Sequence, residues 1–84
     1  MQLRLQRTQE LTMRKAAVFE LRLGLIRVQV WQRLRQSVKH RTITVARLYR
    51  DGTAWKESTR FSLDDVDLMR AALKAAQAWI ERNP

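Results

Sequence analysis

The chain has no cysteine and only one histidine, one proline and two glycines in its 84 residues. Without cysteine there are no disulfides and no thiolate metal sites. His40 alone cannot build a histidine metal site, and no adjacent Ser, Cys or carboxylate supports it as a general base. Gly24 and Gly52 are isolated, so no glycine-rich loop is present to cradle a phosphate. No apolar run approaches the roughly 18–20 residues that span a bilayer. The first residues, Met1 to Arg7, lack the apolar stretch of a secretory signal, and a cytoplasmic protein is the expectation. A domain this short buries about 60–65 % of its unfolded surface, for which dimerisation is a natural remedy.

Acidic residues are also scarce, with 8 Asp and Glu against 17 Lys and Arg. Residues 1–60 hold 14 of the 17 bases and 4 of the 8 acids, a net charge of +10, whereas residues 61–84 carry a net −1. This split coincides with a change from strand-like alternation to a helical pattern. Clustered Lys and Arg drive phosphate binding through counterion release, so a basic sheet backed by a near-neutral helix suits a polyanion.

Residues 1–17 read as a basic, flexible arm, and 18–84 as one domain. Val18 to Leu23 reads as a first strand, and Gly24 as a bulge or sharp bend. Leu25 to Arg33 alternates cleanly. Ile26, Val28 and Val30 point one way, and Arg27, Gln29, Trp31 and Arg33 the other. Leu34 to His40 reads as a basic connection. Thr42 to Arg50 forms a third strand, in which Ile43 and Val45 share a face that Arg47 and Tyr49 then inherit. That break implies either a bulge near Ala46 or a curved, solvent-open end. Asp51-Gly52 marks a turn. Ala54 to Phe61 reads as a fourth strand with Trp55 and Phe61 inward and Lys56, Ser58 and Arg60 outward.

A helix starts near Asp64, capped by Asp64 with Asp67 or by Ser62 with Asp65. Its apolar stripe is Leu68, Met69, Ala72, Leu73, Ala76, Trp79 and Ile80. The fold class expected is therefore α+β: a four-stranded, curved antiparallel sheet followed by one C-terminal helix. The acids at the helix start are explained by capping, so neither catalysis nor a metal is expected. No cofactor is expected either.

The segments Ile43 to Gly52, Trp55-Lys56-Glu57-Ser58, Phe61-Ser62-Leu63-Asp64-Asp65 and Ala78-Trp79-Ile80 resemble a group of small bacterial proteins. That group carries R-x-Y-[KR]-D, W-K-x-[ST], F-x-x-D-D and W-I in this order. Phe19 to Gly24 and Val28 to Trp31 also fit its pattern, so the resemblance covers roughly residues 18–80. The layout more distantly resembles the transcriptional coactivator family called positive cofactor four. The local matches are Ala46 to Arg50 with a basic-aromatic strand and Ser62-Leu63-Asp64 with the helix entry. That resemblance implies dimerisation through the helices and single-stranded DNA binding on the sheet. The connection from Leu34 to His40 departs from it by lacking a glycine.

A single-strand binder needs cations for phosphates and flat side chains for bases. The candidate contacts are Arg27, Trp31 and Arg33, extended by Arg41, Arg47, Arg50, Lys56 and Arg60. Trp55 and Tyr49 have the parity of core residues. Leu73, Ala76, Trp79 and Ile80 are the candidate dimer contacts. The expected function is non-enzymatic binding of single-stranded DNA by a homodimer, in a transcription or replication setting. One alternative is an interaction module that docks an acidic protein. Another is RNA binding on the same face, since no residue singles out a 2′-hydroxyl.

Overall fold

The computed structural model describes residues 16–84, so the expected N-terminal arm lies almost wholly outside the described residues. Four strands, β1 (Ala17–Leu23), β2 (Ile26–Arg35), β3 (Val38–Asp51) and β4 (Ala54–Ser58), form an antiparallel sheet in sequence order. A 3-10 turn (Leu63–Asp65) leads into one helix, α1 (Val66–Arg82).

The alternation in β2 decides which face the helix covers. Ile26, Val28 and Val30 are wholly buried, and with Ala72 and Ala76 of α1 they make the core. Burying each of these three β-branched side chains contributes about 1.5–3 kcal/mol. Phe19, Leu21 and Leu23 of β1 and Val45 of β3 close around them. Alanines at the contact let α1 lie close to the sheet, while Arg70, Lys74 and Gln77 remain exposed.

Gly24 sits in the β1–β2 turn at φ +60, where a side chain would be strained. A Cβ there would also come within 3.3 Å of Leu68 Cδ1. The residue closes a turn rather than making a bulge; the register shift in β1 lies instead between Ala17 and Phe19.

Residues 34–40 differ from the expected loop. β2 and β3 run on to a two-residue turn at Gln36 and Ser37, pairing from Ile26↔Arg47 to Arg35↔Val38 without a break. Both turn residues have positive φ, 52 and 66, as a two-residue type I′ hairpin requires. Neither is the Gly or Asn that usually marks such a turn, so local sequence signals missed it.

Of the two alternatives at the end of the third strand, the unbroken register rules out the bulge near Ala46, and Tyr49 and Arg50 are exposed. Arg47 keeps the helix-side parity because it has an anionic partner there, Asp65 at the entry to α1. The fourth strand ends at Ser58, not at Phe61. Phe61 therefore reaches the core from a loop, and parity counted back from it fails. Trp55, opposite Arg50, lies on the face away from the helix and is 53 % exposed. Lys56 and Ser58, opposite Tyr49 and Arg47, have the helix-side parity.

Of the two expected caps, Ser62 with Asp65 forms. The Ser62 backbone N–H donates to Asp65 Oδ2 at 2.8 Å, and its hydroxyl lies 3.1 Å from the same oxygen. Of the four candidate dimer contacts, Ala76 is wholly buried within the chain, and Trp79 and Ile80 pack partly buried on its own core. Leu73 is exposed. No described helix is long and apolar enough to cross a membrane.

Candidate nucleic-acid interface

The register divides the basic residues between two faces. Arg22, Arg27, Trp31, Arg33, Arg35, His40, Thr42, Thr44, Arg50 and Trp55 share the face opposite the helix. Among the described residues no further layer packs there, and this open face is the candidate interface.

Three of the expected contacts are on the wrong side for it. Arg41 is paired with Gln32, whose parity is that of Val30, and so it points to the helix layer. Its guanidinium carbon lies 5.1 Å from the centroid of Trp79, and Nη1 donates to the carbonyl of Asn83. Lys39 donates to the Pro84 carbonyl at 3.1 Å on the same side. Cations suit the carbonyl-rich end of a helix, so these two strand residues hold the end of α1. Arg47 holds the other end: its Nε lies 3.1 Å from Asp65 Oδ2. Lys56 pairs with Asp51 at 2.9 Å beside the β3–β4 turn.

The surroundings of Asp65 favour its charged form. The Ser62 backbone N–H holds its pKa below the ordinary 3.8; desolvation opposes the shift, and the Arg47 and Ser62 side chains reinforce it. It is therefore an anion at neutral pH and a structural partner for Arg47.

On the open face, Arg27 forms an ion pair with Glu57. Its side chain is 22 % exposed, so it is largely committed within the sheet. Gln29 Nε2 donates to Glu20 Oε1 at 2.9 Å. Among the described residues, no carboxylate lies within ion-pair distance of Arg22, Arg33, Arg35 or Arg50. Among the described strand residues of the open face, these four are the cations without an ion-pair partner. Arg60 is exposed in the loop after β4.

Trp31 is tied down at one edge. Its Nε1 donates to Thr44 Oγ1 at 2.8 Å, across the neighbouring strand. The bond satisfies the indole N–H locally and fixes the ring against the sheet. Trp31, Arg33, Arg35, His40 and Thr42 line a surface depression near the hairpin end. At the other end of the face, the Arg50 guanidinium lies 5.4 Å from the centroid of Trp55. Trp55, inward by its sequence parity, is on the open face, and Arg35 and His40 belong to paired strands and not to a loop. The cross-strand pairing of Arg50 with Trp55 across the Asp51-Gly52 turn was the signal that locates Trp55. Leu48 is buried although it shares the open-face parity, opposite Glu57.

No family model, curated protein or solved structure matches this chain.

Proposed function

We propose that the open face of the sheet binds single-stranded DNA without catalysing a reaction on it. The observation that carries this reading is the coincidence, on one uncovered face, of two tryptophans with Arg22, Arg33, Arg35 and Arg50. A stacked base contributes about 1–3 kcal/mol on an aromatic platform, and arginines neutralise the flanking phosphates. The helix-side cations Arg41, Arg47 and Lys39 are spent on the fold and take no part. The layout is also the one implied by the resemblance to positive cofactor four, in which the sheet side binds the strand.

The test is titration of a labelled oligothymidylate across a salt series. Four phosphate contacts give a slope of log affinity on log salt of about −3 for a single strand. Trp31→Ala is expected to weaken binding by about 1–3 kcal/mol with that slope retained. Binding that ignores salt, or that favours duplex equally, would overturn the proposal. Unchanged affinity in Trp31→Ala would favour a purely electrostatic surface, such as one for an acidic protein.

A further inference from the structure

The open face is not uniformly basic. Trp31 stands opposite Thr42, whereas Trp55 stands opposite Arg50. Eight residues of β3 separate those positions, about 27 Å at roughly 3.3–3.4 Å per residue. The two rings also lie two strands apart, on β2 and β4, which adds about 10 Å across the sheet.

Each end combines an aromatic ring with cations that have no acidic partner among the described residues. One station is Trp31 with Arg33 and Arg35; the other is Arg50 with Trp55. Between them the charges balance: Arg22 and Arg27 stand against Glu20 and Glu57, Arg27 is paired with Glu57, and Ala46 and Leu48 carry no charge.

We infer that the face holds a DNA strand at two separate stations, with its middle segment bridging the neutral strip rather than stacking on it. This inference rests on the proposed single-strand binding and specifies its geometry. At a stacked rise of about 3.4 Å per nucleotide, the span is about eight nucleotides, and fewer in a stretched strand. A tetramer then occupies one station only, and a dodecamer reaches both. Occupying the second station becomes intramolecular, which raises affinity without any new kind of contact.

The experiment compares oligothymidylates of 4, 8, 12 and 16 nucleotides on the full chain, with Trp55→Ala and Arg50→Ala beside the wild type. The wild type is expected to gain about 100-fold in affinity between the tetramer and the dodecamer. Both variants are expected to lose most of that gain, because only the Trp31 station then remains to hold the longer strand. A dodecamer whose four central nucleotides are abasic is expected to bind the wild type as tightly as the intact one. The same gain in wild type and both variants, or a large loss on removing the central bases, would overturn the two-station geometry and leave single-strand binding standing. Absence of salt-sensitive binding at every length would overturn both.

Discussion

Arg47 Nε lies 3.1 Å from one carboxylate oxygen of Asp65 and 3.3 Å from the other, joining the middle of the sheet to the start of the helix. This contact removes from the open face an arginine that the sequence alone would assign to it. Arg47→Ala should therefore lower the melting temperature by a few degrees and leave DNA affinity within about twofold. Arg33→Ala should do the reverse, with little effect on melting and a salt slope smaller by about 0.7. Melting curves and salt titrations on the two variants separate the roles.

Acid should weaken the same joint. The Asp65 carboxyl has its acidity strengthened in the folded state, so it binds protons less readily there than in the unfolded chain. The stabilisation is present above the unfolded value of 3.8 and is lost as pH falls through the lower folded value. Melting temperature should drop on acidification below about pH 4 more steeply in the wild type than in Asp65→Asn. Parallel acid profiles for the two proteins would refute this origin.

Glycine should be favoured in both the β1–β2 and the β2–β3 turn. Gly24→Ala places a Cβ at φ +60 and against Leu68, and should destabilise by about 1–2 kcal/mol. Ser37→Gly relieves a positive φ of 66 in the β2–β3 turn, and should stabilise by about 1 kcal/mol. Denaturant midpoints measured on both variants check the pair.

Thr44 should matter to binding through Trp31. Thr44→Val keeps the shape and the β-branching but removes the oxygen that receives the indole N–H. Its expected effect is a loss of DNA affinity smaller than that of Trp31→Ala, with fold stability changed by about 1 kcal/mol or less. A Thr44→Val protein that binds as the wild type does would show that the hydrogen bond has no part in positioning the ring.

The element order and the core were legible in the sequence because Ile26, Val28 and Val30 alternate with polar residues and the helix has a continuous apolar stripe. What misled was local. Gln36-Ser37 turns without the glycine or asparagine that announces a hairpin, so ten paired positions of β2 and β3 looked shorter than they are. Phe61 joins the core from outside its strand, which reversed the assignment of Trp55 and Lys56. For the candidate site, Arg27, Trp31, Arg33 and Arg50 were placed on the open face by parity or charge. Arg41 and Arg47 were not separable from them, because a cation's partner in another element leaves no trace in its own strand. Only the fold brings Arg47 to Asp65 and Arg41 to Trp79.

The order of the elements has a consequence for the chain as it is made. Every strand pairs with its neighbour in sequence, so the sheet can assemble once Ser58 has emerged. The helix that shields Ile26, Val28 and Val30 comes last. A nascent or prematurely terminated chain thus presents a finished but bare apolar sheet face, with strand edges beside it. Such a surface invites association with other chains or capture by chaperones until α1 docks. The final turn of the helix, where Trp79 closes on Phe19 and Arg41, ends that exposed interval.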